Sequence, residues 1–193
     1  QSYMARARFY EKVGRHQDAI EDYTQAVQFQ PDLAEGYYGR GYSYGQVAKF
    51  ELAERDISIA LKLRPDAQWP LRAQALLYHG AALDVLDKQT EALANYTAAL
   101  EADPKLVRAY LARSNLLARQ GKLNEALADR ETAVKLEPGN PVVYLARGGS
   151  YHELGRHEEG LADRTKAIEL DPKNAQTWYS RGSAYFLLKK YEL

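Results

Sequence analysis

The chain has 193 residues, 26 basic against 26 acidic side chains, and no cysteine. Its 46% hydrophobic content matches globular proteins and excludes wholesale disorder, while zero net charge speaks against a nucleic-acid or polybasic membrane binder, whose phosphate contacts need an excess of Lys and Arg. Without cysteine there is no disulfide framework, zinc ribbon or thiol nucleophile.

The prolines reveal a period. Pro31, Pro65, Pro104, Pro138 and Pro172 stand 34, 39, 34 and 34 residues apart, and a fixed spacing of this size marks a repeat architecture. Each ends a recurring phrase: AVQFQP, ALKLRP, ALEADP, AVKLEP, AIELDP. Upstream lies a second phrase: YMARARFY, YYGRGYSY, LLYHGAAL, YLARSNLL, YLARGGSY, WYSRGSAY. With each proline at position 32, the units run 1–33, 34–67, 73–106, 107–140 and 141–174, and 175–193 begins a sixth. An insert, Gln68 to Arg72, separates the second and third units; its Trp69 and Pro70 predict a longer turn with Trp69 as a packing residue.

Within the units the pattern is amphipathic. Position 4 holds Tyr3, Tyr37, Leu76, Tyr110, Tyr144 and Trp178; position 8 holds Ala7, Gly41, Gly80, Ser114, Gly148 and Gly182. Position 11 holds Tyr10, Tyr44, Leu83, Leu117, Tyr151 and Tyr185, so positions 4, 8 and 11 share one face of a first helix. Position 20 holds Ala19, Ala53, Ala92, Ala126 and Gly160, and position 27 is always alanine, on a second helix. Small residues at 8 and 20 let two antiparallel helices approach, and the proline ends the second helix. One such pair cannot bury both faces, so each unit stacks on its neighbours.

These phrases resemble the tetratricopeptide repeat, a 34-residue helix–turn–helix unit, over the whole chain except the insert. The resemblance implies an all-α, right-handed superhelical solenoid of antiparallel helix pairs, forming a single array. It also implies a protein–protein interaction module in which a partner peptide or helix lies in a concave groove lined by the first helices. Gln1 stands at position 2 and Leu193 at position 19, so the last pair is half present and the chain reads as part of a longer protein.

Position 7 reads Arg6, Arg40, His79, Arg113, Arg147 and Arg181, and position 23 reads Asp22, Asp56, Asn95, Asp129 and Asp163. The third unit departs at both positions together, which predicts structural ion pairs inside units: Arg6–Asp22, Arg40–Asp56, Arg113–Asp129 and Arg147–Asp163. Arg130 and Arg164 occupy position 24, where Tyr23, Ile57 and Tyr96 stand elsewhere. Either their stems cover apolar surface with the heads in water, or they mark a contact on the outer face.

Eleven of the fifteen tyrosines fall at packing positions; Tyr38, Tyr42, Tyr78 and Tyr179 fall at groove positions. Tyr38, Tyr42 and Tyr78, with Arg108, Asn115 and Arg119 of the fourth unit, form the candidate partner-binding set: aromatic anchors beside groups that bond backbone and acidic side chains. The tyrosines also suit a bracing role between helices. Position 5 lacks the lysine with which chaperone-binding members clamp a terminal carboxylate, so that specialisation is not expected.

No catalytic role is expected. His16, His79, His152 and His157 lack a second ligand at a spacing of three or four that would build a metal site, and no phosphate loop is present. No cofactor, metal, nucleic-acid partner or membrane insertion is expected, and cytoplasm is the default compartment. Two rival roles are a self-assembling scaffold joined through the open C-terminal end and the recruiting arm of an enzyme encoded beyond this segment.

Overall fold

The computed structural model describes residues 2–188. Residues 189–193, part of the C-terminal segment expected to self-associate, lie outside the described residues and include Tyr191, assigned above to a packing position. Among the described residues the regular structure is entirely helical. It comprises α1 (Ser2–Lys12), α2 (His16–Phe29), α3 (Ala34–Gln46), α4 (Phe50–Leu63), α5 (Arg72–Val85), α6 (Gln89–Ala102), α7 (Val107–Arg119), α8 (Leu123–Leu136), α9 (Pro141–Glu153), α10 (His157–Leu170) and α11 (Ala175–Leu187). Contacts gather these into two compact units, Gln1–Leu106 and Val107–Leu193.

In the first unit, α1 and α2, α3 and α4, and α5 and α6 pack as hairpins, α2 packs on α3 and α4 on α5, and successive first helices touch. In the second, α7 pairs with α8 and α9 with α10, while α8 packs on α9 and α10 on α11. The chain is thus a helical solenoid of repeated pairs, the arrangement in which each amphipathic hairpin covers its neighbour's apolar face.

Closeness within a pair depends on small residues. A methyl group added at Gly41 would sit 3.1 Å from the Ala53 carbonyl oxygen and 2.7 Å from Ile57 Cγ1. At Gly80 it would meet the Ala92 carbonyl at 3.2 Å, in the same register. Position 8 therefore lies against the backbone of position 20, and the alanines at position 20 are 0–1% exposed where measured (Ala19, Ala53, Ala92, Ala126). The second helix ends alike in each pair: the backbone N–H of the residue before the proline donates to the carbonyl of the position-27 alanine. The insert turn is tied down by Trp69, which is 3% exposed and donates from Nε1 to Glu35 Oε1 at 3.2 Å.

The link between the two helices of each pair needs a left-handed residue at position 15. Gly14, Gly121 and Gly155 occupy it with φ of 73–76°, but Ala48 and Asp87 occupy it with φ of 58°. Glycine takes this conformation without strain, and a Cβ costs about 1 kcal/mol there.

The guanidinium–carboxylate geometry lies inside pairs. Arg6 Nε to Asp22 and Arg40 Nε to Asp56 are both 2.6 Å, Arg113 Nη2 to Asp129 and Arg147 Nη2 to Asp163 both 2.7 Å. Each is bidentate, the second nitrogen bonding the other carboxylate oxygen. His79 Nδ1 and Asn95 Oδ1 take the same places at 2.9 Å. The arginines also stack on the position-4 ring one turn earlier, as Arg40 does on Tyr37 at 5.5 Å.

Two outcomes follow from this geometry. Ala48→Gly is expected to raise stability by about 1 kcal/mol in urea denaturation, because only backbone strain is relieved. Arg40→Met strands Asp56, whose side chain is 0% exposed, and is expected to cost about 3 kcal/mol, since Arg55 at 3.6 Å compensates only in part. Arg6→Met likewise strands Asp22, whose side chain is 6% exposed although Arg6 itself is 58% exposed, and is expected to lower the denaturation midpoint too; an unmoved midpoint at both sites would refute the burial argument.

Candidate functional site

The side chain at position 24 sits on the second helix and fills the wedge between two successive first helices. Tyr23 does this between α1 and α3: its ring lies over Gly39, where a Cβ would overlap it, and its hydroxyl donates to Glu11 Oε2 at 2.7 Å. The next unit has Ile57 at this position, a shorter side chain. A cleft of about 240 Å³ opens there between α3 and α5, floored by Phe50, Ala53 and Ile57 and walled by Tyr42, Tyr78 and Val85. Gly41, Gly45, Ala81 and Ala82 keep its walls low, and Val85 is 58% exposed at the rim.

Tyr42 and Tyr78 meet at this cleft, with Tyr38 packed behind Tyr78, and all three are half-buried. Tyr42 and Tyr78 stand edge to face at 4.8 Å, Tyr38 and Tyr78 are 6.5 Å apart, and Tyr38 meets Trp69 at 6.2 Å. Tyr38 and Tyr78 also pack on Ile57, Ala60 and Ala75. All three brace α3 against α5, and Tyr42 and Tyr78 also line the cleft. Burial, with the neighbouring Tyr78 and Glu11, pushes the Tyr38 hydroxyl well above the usual phenol range, so it stays protonated.

In the second unit, Arg108, Asn115 and Arg119 are exposed on α7 and share one helix rather than one pocket. Asn115 is already engaged on one side: its Oδ1 accepts from Arg130 Nη2 at 2.9 Å. That leaves its amide N–H groups as donors toward the open face. The head of Arg130 is buried, contrary to both sequence expectations. It donates to Ser114 Oγ at 3.1 Å and Ser150 Oγ at 2.6 Å, with Glu153 at 3.7 Å, and is only 6% exposed. Arg130 fills the wedge that Tyr23 fills in the first unit, for which its length and fork suit it once polar partners line the gap.

Sequence reasoning found the tyrosines but missed the cleft and the Arg130 network. The signal for the cleft was present: an isoleucine in place of tyrosine at position 24, flanked by glycines and alanines on both first helices. Among the described residues, no group of three or more His, Asp or Glu side chains is placed to hold a metal ion, and no helix is long and apolar enough to cross a membrane.

Comparison with known proteins agrees with this architecture. Two family models match: one described as TPR repeat over residues 8–47 and 150–189, the other as Tetratricopeptide repeat over 38–107, 82–141 and 111–164. The chain is 30% identical over 108 residues to Tetratricopeptide repeat protein 13 of Homo sapiens, a stretch covering 53% of this chain but only 12% of that protein. Among solved structures it resembles YrrB, a TPR protein with an unusual peptide-binding site, at 22% identity and TM-score 0.72, covering 93% of this chain and 90% of that one. It also resembles the C-terminal part of a TPR repeat-containing protein from Cytophaga hutchinsonii (20% identity, TM-score 0.82, 96% and 71% covered) and MamA from Desulfovibrio magneticus RS-1 (20%, 0.77, 89% and 94%).

A histidine pair gives the second unit a pH response. His152 Nδ1 and His157 Nδ1 are 2.7 Å apart, so one ring must donate and the other accept, and both cannot be charged. Burial, then the charges of Arg164 and His157, lower the His152 pKa to about 4. A lowered histidine pKa favours the neutral folded form, so its contribution is complete above the ordinary value of 6.5 and is lost as pH falls toward 4. Allowing for partial exposure, the loss is on the order of 1 kcal/mol. Denaturation curves across this range should fall less steeply for His152→Gln; parallel curves would refute the effect.

Proposed function

The chain belongs to the tetratricopeptide-repeat family, and from that membership we propose a non-catalytic interaction module that takes a partner's peptide or helix in the groove lined by its first helices and scaffolds a complex. The apolar cleft between α3 and α5 carries this reading. Its walls and floor are aromatic and aliphatic side chains, and its size suits one large side chain such as Leu, Met or Phe. Tyr38, Tyr42 and Tyr78 supply rigid contact area at small entropic cost, and Arg108, Asn115 and Arg119 supply polar contacts farther along the chain. Burying one anchor of this kind contributes about 1.5–3 kcal/mol before ordering costs. The family supports protein partners in general; the groove and these six residues are the specific part of the proposal.

Ile57→Tyr tests it without inserting a foreign residue type, because Tyr23 and Tyr96 stand at the equivalent position in the flanking repeats. The ring is expected to fill the cleft while circular dichroism stays unchanged. A partner captured by the native chain should then be lost by Ile57→Tyr and by Val85→Glu at the rim. Equal capture by all three would move the contact away from this cleft.

A further inference from the structure

The same wedge position in the next pair holds Arg164, and here the charge lacks what Arg130 has. Where Arg130 meets the side chains of Ser114, Asn115 and Ser150, the register supplies Gly148, Gly149 and Ala184. Arg164 Nη1 reaches only the backbone carbonyls of Gly148 at 3.3 Å and Gly160 at 3.2 Å. Its Nε is buried with no hydrogen-bond partner. The adjacent carboxylate, Asp163, is held by both nitrogens of the Arg147 fork at 2.7 and 2.8 Å. A half-buried arginine without a carboxylate of its own is costly, and its partial burial lowers its pKa.

His152 borders the same space: a Cβ at Gly160 would lie 3.2 Å from Arg164 Nη1 and 3.4 Å from His152 Cδ2. His152 Nε2 is buried and unpartnered too. When His157 donates to His152 Nδ1, the His152 proton resides on Nε2, which makes it a second donor. The surrounding helices are biased in charge: beyond the Arg113–Asp129 and Arg147–Asp163 forks, α7, α9 and α11 carry Arg108, Arg119 and Arg181 against the single acid Glu153. That acid already lies beside Arg130.

We infer that Arg164, with His152, receives a carboxylate from an acidic peptide segment of the partner, an Asp or Glu side chain that enters between α9 and α11 and completes the fork that Asp163 does not. This deepens the module reading and rests on it, because the occupant is the partner peptide. Charge complementarity selects the acidic segment, and Gly148, Gly149 and Ala184, lacking the side-chain acceptors that Arg130 meets, leave the Arg164 head for the partner to satisfy.

The test follows the arginine Nε–Hε and histidine signals of the 193-residue chain by NMR. With its α-carboxyl blocked as the methylamide, N-acetylglutamate is expected to shift Arg164 and His152 saturably, and N-acetylglutamine blocked likewise to shift neither. A blocked peptide with one Glu flanked by Leu should bind about tenfold more tightly than N-acetylglutamate as its flanking contacts join. Arg164→Gln should remove the His152 response. Arg164→Tyr should remove it while raising the melting temperature, since Gly148 leaves the opening over which Tyr96 lies at Gly80; that variant keeps the test independent of folding. Silence at Arg164 with both probes overturns the inference. So does an equal response to sulfate, which would make this an inorganic-anion site, or a peptide no tighter than N-acetylglutamate, which would make it a site for small acids. Ile57→Tyr reads the α3–α5 cleft alone, so failure of the module reading there is distinguishable from failure here.

Discussion

Everything in this fold depends on how closely the two helices of a pair approach. Position 8 of the first helix lies against the backbone carbonyl of position 20 on the second, as Gly41 and Gly80 show. At that separation there is no room for a large side chain, so large residues are displaced to positions 4, 11 and 24, where they cover neighbouring pairs. The fixed separation also brings position 7 within reach of position 23, so that a guanidinium and a carboxylate close into a fork. Because Asp56 and its counterparts are almost fully buried, the fork stabilises mainly by leaving no charge stranded. The His79–Asn95 pair keeps the geometry without the charges.

With the pair held rigid, variation moves to the wedge. Tyr23, Ile57, Arg130 and Arg164 stand at one structural position and produce four surroundings: a sealed aromatic contact, an open apolar cleft, a saturated polar network and a cation short of partners. The scaffold tolerates all four because the backbone contact at positions 8 and 20 does not involve this side chain's tip. One scaffold can thus offer an apolar site in one place and a polar one in another, which is how a repeat protein acquires a partner without altering its fold.

Much of the fold was legible from residue types alone. The proline period, the invariant position-27 alanine and the small residues at positions 8 and 20 specify helix pairs because helix termination and close approach are local or nearest-neighbour constraints. The ion-pair geometry was also readable, since His79 and Asn95 depart together. Less legible was the left-handed turn at position 15: glycine marks it in three pairs, but Ala48 and Asp87 disguise it in two.

By itself, the sequence determined the helix-pair repeat, its small-residue contacts and the family to which the chain belongs. Only tertiary structure decided what the side chains at the wedge do. Tyr38 braces because it meets Trp69 from a turn outside the period, and Tyr78, packed against Tyr38, both braces and lines the cleft. Arg130 is buried because Ser150, twenty residues away, turns its hydroxyl to meet it. Periodicity reports which face of a helix a residue occupies, whereas a cleft or an unsatisfied charge arises from the volumes and polar atoms of three helices at once, which no single stretch of chain contains.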